Sequence, residues 1–213
     1  MLVLNMCVKM RRFLIFVFFF FVGISTGLLK GQTPENWDFP EKYDSLVVFL
    51  SDSLDDILDV KIKVKEKRIG TTMAMRPSFF SVFKKPEKRT YVLCINNRED
   101  FSGILFRDVP HEARIGLVAH ELMHVRDYQA RGFGGIVERG WQYLSKSGKH
   151  KFEHEIDQMV IDAGFGFFLY YWSAYVLEES DVDEKYREFK RRVYMNPKKI
   201  LTELNKLGEI EVM

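Results

Sequence analysis

Cysteine is scarce in this chain: Cys7 and Cys94 are the two among 213 residues. Cys7 sits in the N-terminal apolar segment, so the body holds Cys94 alone and cannot close a disulfide on itself. A zinc ribbon, which needs cysteine pairs, fails on the same ground. Cys94, within YVLCINN, reads as a small buried residue of a strand. A basic surplus is missing too. The whole chain carries +2, but Lys9, Arg11, Arg12 and Lys30 stand in a segment without acids, so residues 32–213 come to −2. No nucleic-acid footprint is expected from that balance. Internal repeats and low-complexity tracts are also absent.

What the N-terminus does have is an apolar run from Phe13 to Leu29 behind Lys9, Arg11 and Arg12. The run is short for a membrane span and fits a signal-peptide core better, with a signal anchor as the alternative. Gly23, Ser25 and Gly27 offer cleavage points, as does the bond before Gln32. In either case the positive residues stay on the cytoplasmic side. Residues 32–213 are therefore expected to form one domain delivered across the membrane: periplasmic, extracellular or anchored facing out.

Histidine is the informative residue type. All five histidines fall between His111 and His154. The segment Leu117–Arg126, LVAHELMHVR, carries His120, Glu121 and His124 in the spacing H-E-x-x-H. On a helix two imidazoles four residues apart lie on one face and can reach one metal ion. A glutamate beside the first histidine can then serve as base to a water on that metal. Downstream, HKFEHEIDQMVIDAG places Glu153 and Asp157 four residues apart. Glu153 can complete a His/His/Glu site, and Asp157 can accept the free ring N–H of a ligating histidine. His150 and His154 flank Glu153 and rank second and third as the remaining ligand, although surface histidines are the simpler reading for both. His111 reads as a first-turn surface residue.

LVAHELMHVR followed by FEHEID resembles the gluzincin metallopeptidases, the thermolysin-like and CAAX-protease-like enzymes and their minimal single-domain relatives. The resemblance spans roughly residues 90 to 165. It implies His120, His124 and Glu153 as ligands of Zn2+, Glu121 as general base, and Asp157 behind His120. Arg126 departs from the pattern, where that group usually has an apolar residue. The metzincin extension fails, since Asp127 and Ala130 stand where glycine and histidine are required. A deformylase is excluded because its cysteine ligand and glycine-glutamine motif have no match. In the resembling enzymes a strand just before the active helix, here Tyr91–Ile95, pairs with an extended peptide substrate. The oxyanion donor stays open among Tyr128, Tyr170, Tyr171, Tyr194 and His111.

The fold class expected is α+β: a small, mostly antiparallel sheet packed on a helical zincin core that holds the HExxH and ExxxD helices. A helix is expected from Pro40 through Leu58, and a strand over Val60–Lys65, where VKIKVK alternates. An extended stretch follows over Thr72–Phe83, interrupted at Pro77, then a turn at Lys84–Lys88 and a strand over Thr90–Asn96. The HExxH helix should start near Asp108 and Pro110 and stop before Gly132. Gly132, Gly134, Gly135 and Gly140 mark a loop, read as a connector rather than a lid. Gly116, one turn before His120, would let a strand or substrate backbone approach. Met159–Leu177 is nearly of membrane length, but Gly164 and Gly166 favour a packed helix-and-turn. Two amphipathic helices close the chain, the second starting at Asn196-Pro197.

Together these residues predict an exported zinc-dependent peptidase acting on peptide or protein substrates, with membrane association possible through the N-terminal segment or residues 159–177. The rival is a non-catalytic exported or membrane-anchored interaction protein that keeps a zincin-like fold.

Overall fold

The computed structural model describes residues 32–208; the N-terminal segment expected to direct export, residues 1–31, lies outside them. The chain is α+β, and its sheet is mixed. Strands β1 (Trp37–Asp38), β2 (Lys61–Lys67), β3 (Met73–Pro77) and β4 (Thr90–Asn96) stand in the order β1-β2-β4-β3. The β1–β2 and β2–β4 pairings are parallel, and only β3–β4 is antiparallel. The mostly antiparallel sheet expected from sequence is corrected here. VKIKVK does alternate, with Ile62 buried and Lys61, Lys63 and Lys65 outward, but alternation reports one buried face and not the direction of the neighbour.

Helix α1 (Asp44–Ser51) is shorter than expected, because the stretch around it breaks into single 3₁₀ turns at Glu41–Tyr43 and Asp55–Ile57. The extended stretch after Thr72 likewise ends at Pro77, and Phe79–Phe83 coils into a 3₁₀ turn. Helix α2 (His111–Gln129) follows Pro110 as foreseen. Its C-terminal carbonyls are capped by the buried Arg89, whose guanidinium donates to Tyr128 O at 2.7 Å and Arg131 O at 2.6 Å. A cation there satisfies orphan carbonyls and suits the negative end of the helix.

The glycine-rich segment after Gly132 is not a loop. It forms helix α3 (Phe133–Leu144), followed after Ser145 by α4 (Lys146–Val160), whose first turn Ser145 caps by accepting from Gly148 N. Beyond α4 the chain turns through Ile161–Phe165, where Gly164 adopts φ +84°, and resumes as α5 (Gly166–Ala174). That φ lies in the left-handed region that favours glycine. The helical stretch Lys146–Glu179 is apolar and long enough to cross a membrane by composition. It bends at Gly164, and Phe165, Leu169 and Trp172 join the core. Helices α6 (Glu184–Val193) and α7 (Pro197–Lys206) are the two amphipathic helices expected, the second starting at Asn196-Pro197; Asp183 and Asn196 cap them.

One crossing sets the geometry. A Cβ on Gly116 of α2 would lie 2.7 Å from Leu169 N and closer still to the Phe168 carbonyl. Gly116 therefore admits the backbone of α5, not a strand or a substrate. The bend at Gly164 brings α5 back across α2, and α4 lies beside the same helix. Ile62, Tyr91, Leu93, Leu122, Met123, Phe152 and Ile156 share one hydrophobic cluster beneath.

Candidate metal centre

His120 and His124 sit one turn apart on α2, and Glu153 comes from the middle of α4. All three are buried, and one donor atom from each lies within 4.8 Å of the other two, so the group could hold a metal ion. Glu153 Oε2 is 3.1 Å from His120 Nε2 and 3.5 Å from His124 Nε2. On the far side of His120, Nδ1 meets Asp157 Oδ1 at 2.8 Å. Asp157 is itself fixed, its Oδ2 accepting the Met195 N–H at 2.8 Å. The Met195 carbonyl accepts from Ser173 Oγ at 2.9 Å, so the link between α6 and α7 is tied to α5 and α4 together.

The electrostatics match the donor set. Burial works against a charged His120, yet the hydrogen bonds and charges of Asp157 and Glu153 outweigh it and push the ring up to about 10. Burial likewise opposes an ionised Glu153, but the two imidazoles hold its carboxyl well below the usual range. The two carboxylates thus demand positive charge at this point, which a proton on His120 or a divalent cation can supply. Glu153 Oε1 and His124 Nδ1 are buried without a hydrogen-bond partner. An orphaned carboxylate oxygen beside two imidazoles is the kind of group a cation satisfies.

Glu121 is buried next to the group, and its Oε2 accepts the Met75 N–H at 2.6 Å. β3 is the sheet edge on this side. Its antiparallel ladder to β4 runs through Thr72 and Ser78, so the Met75 amide turns outward. The strand Tyr91–Ile95 is internal, flanked by β2 and β3. It has no free edge to pair with a substrate, which corrects the sequence expectation; the outer edge on this side is β3, where Glu121 already occupies the Met75 amide.

Three tyrosines surround the centre. Burial first, and the negative charge of Glu153 next, push the phenols of Tyr128, Tyr143 and Tyr194 above the ordinary tyrosine range. All three therefore remain donors at neutral pH. The Tyr194 ring stands 5.5 Å from His120, and the Tyr143 ring packs 6.1 Å from Phe152, the neighbour of Glu153. Sequence reasoning missed Tyr143, because it rides on α3, the segment that reads as a loop. Of the other donor candidates, Tyr170 and Tyr171 pack on each other on α5, and His111 is exposed at the start of α2. His150 and His154 do not join the group. His150 Nδ1 bonds to Arg192 O at 2.8 Å, and the two rings pack 4.0 Å apart.

Comparison with protein-family models, with curated proteins and with solved structures finds no match to this chain. The functional reading rests on the residues themselves.

Proposed function

We propose that this chain is an exported zinc peptidase of gluzincin type, with His120, His124 and Glu153 as ligands and Glu121 as general base. The observation that carries the reading is Glu153: a carboxylate from a remote helix meets both imidazoles, while Asp157 secures the outer nitrogen of one of them. Tetrahedral zinc with bonds of about 2.0–2.1 Å sets neighbouring donor atoms about 3.3 Å apart. The two separations of 3.1 and 3.5 Å bracket that value. When bound, zinc supplies Lewis acidity, polarising a carbonyl and making water acidic near neutral pH.

The protein residues do the rest. Asp157 holds His120 in the tautomer that leaves Nε2 free to ligate. Glu121 accepts the proton of the attacking water and returns it to the leaving amine. Tyr143 and Tyr194, kept protonated, flank the centre as donors to a developing oxyanion. An extended peptide that adds to the outer edge of β3 takes the Met75 amide from Glu121 and frees that carboxylate for the water. The buried site beneath that edge limits competing water.

Glu121→Gln tests the reading. The variant is expected to keep stoichiometric zinc by metal analysis and to lose cleavage of an unstructured protein such as casein by about 100- to 10,000-fold. Glu153→Ala is expected to lose the metal as well. Cleavage that persists unchanged in Glu121→Gln would end the peptidase reading, whereas zinc retained in Glu153→Ala would reassign the third ligand.

A further inference from the structure

Helix α3 is turned inside out. Its one buried residue is Arg139, while Phe133, Val137, Trp141 and Leu144 form an exposed apolar stripe at helical spacing. Arg139 donates to both Asp127 oxygens at 2.7 and 3.1 Å, pairs with Glu155 at 2.7 Å, and lies 4.4 Å over the Phe152 ring. That buried ion pair fixes which way the helix faces, and it faces its aromatic side outward.

The stripe continues onto a neighbour. Phe83 of the 3₁₀ turn stacks on Phe133 with ring centres 5.1 Å apart, and Phe79 and Phe80 project beside it. Eight of the ten exposed large hydrophobic residues among those described belong to this turn and to α3, with Phe80 78% and Trp141 69% exposed. Scattered apolar residues need no explanation, but a contiguous aromatic face marks a surface that meets something.

The charge around the face says what. Apart from Arg131 and Arg139, which pair with Asp127, residues 73–88 and 131–149 hold six basic side chains against two acidic ones, Glu87 and Glu138, although residues 32–213 as a whole are net acidic. Arg76, Lys84, Lys85, Lys88 and Lys146 are exposed. Phenylalanine, tryptophan and leucine rimmed by lysine suit the boundary of an anionic bilayer, where rings sink among the headgroups and ammonium groups stay with the phosphates.

We propose that the Phe79–Phe83 turn and α3 dock this domain on an anionic lipid surface. Neither the N-terminal segment nor residues 159–177 is needed for this contact, and it stands whether or not the metal centre hydrolyses peptides. Docked this way, the domain carries Tyr143 of α3 and the β3 edge, which leads into Phe79, close to the lipid surface.

Among the described residues the hydrophobic core runs from Trp37 to Leu204, and the chain from Gln32 onward is the species to test. It is mixed with phosphatidylcholine vesicles, with and without phosphatidylserine, and floated on a density gradient. Trp37 and Trp172 are buried, so a change in tryptophan emission reports Trp141. The expected result is flotation with the phosphatidylserine vesicles and a blue shift. Phe80→Asp with Trp141→Asp should lower the bound fraction at least about tenfold, and Lys84→Glu with Lys85→Glu should lower it by a similar factor. Both pairs are exposed, so an unchanged unfolding transition checks that the fold is intact. Absence of flotation and of the shift overturns the proposal. So does a chain that stays off both vesicles and sediments as a dimer dissociated by Trp141→Asp, since a second copy then covers the face.

Discussion

Helices α2 and α3 follow one another in the chain and use opposite means to stay in place. α2 is buried along most of its length, and thirteen of its nineteen residues lie inside the molecule. It can hold His120, Glu121 and His124 in the interior because apolar neighbours on every side supply the burial energy. α3 buries a single arginine and shows its apolar face to solvent. One helix is held by the core, and the other by an ion pair. The glycines mark the same contrast: Gly116 of α2 is pressed against the backbone of α5, whereas Gly134 and Gly140 of α3 face open space. Chemistry that needs fixed distances belongs on the first kind of helix, and a surface that meets a partner can ride on the second.

The sharpest way to break this contrast is Gly116→Ala. The new methyl collides with main chain rather than with a side chain that can swing aside. α2 and α5 must separate, and α4, continuous with α5, must shift Glu153 with them. A loss of about 3 kcal/mol or more in denaturant unfolding is expected, together with weaker metal binding. A stability change below about 1 kcal/mol would show that the crossing gives way without cost, and α2 would lose its claim to be the rigid member of the pair.

Arg139→Met attacks the other helix. Asp127 stays buried and keeps Arg131 as a partner at 3.0 Å, so the cost is expected to be about 2 kcal/mol rather than the larger penalty of a fully stranded charge. Rapid hydrogen exchange confined to α3 is the signature to look for. The pH dependence sharpens it. Burial raises the Asp127 carboxyl, but Arg139 and Arg131 more than reverse this and hold it below its ordinary value of 3.8. A depressed carboxyl stabilises the fold above its unfolded pKa and loses that contribution as pH falls through the folded value. The wild type should therefore loosen at α3 below about pH 4, and Arg139→Met should flatten much of that acid response.

Sequence and structure agree where the signal is local. The i, i+4 spacings of His120 with His124 and of Glu153 with Asp157 need nothing beyond a helix to put each pair on one face, so the members of the site were legible before any fold was known. Neither spacing says that the two helices meet; residue type and order alone suggest it. The strand directions are not legible, because parallel pairing of β2 with β4 depends on the path between them, which the pattern of VKIKVK does not carry. α3 reads as a loop in sequence because four glycines from Gly132 to Gly140 outweigh the faint stripe of Phe133, Val137 and Trp141. What makes it a helix is Arg139 meeting Asp127 and Glu155, contacts that lie outside the segment. Tyr143 is hidden with it. Gly116 stands visibly on the ligand stripe, but its neighbour, the backbone at Phe168, is fifty-two residues away and leaves no mark in the local sequence.

The smallest expected effect tests whether α3 is a helix held from outside. If Arg139 alone supports it, raising its own helical preference should strengthen it. Gly134 and Gly140 have ordinary helical dihedrals, since positive φ occurs only at Gly164 and Gly208 among the described residues. A methyl at either site meets nothing within 4 Å. Gly134→Ala and Gly140→Ala should each add about 0.5–1 kcal/mol, mainly by restricting the unfolded chain. That gain should appear as slower hydrogen exchange in α3 while the amides of α2 are unchanged, because α3 opens before the core does. Slowing of both helices together would mean that α3 unfolds only with the rest of the molecule. The ion pair would then be one contact among many, and the division between a helix fixed by the core and a helix pinned at its surface would fall.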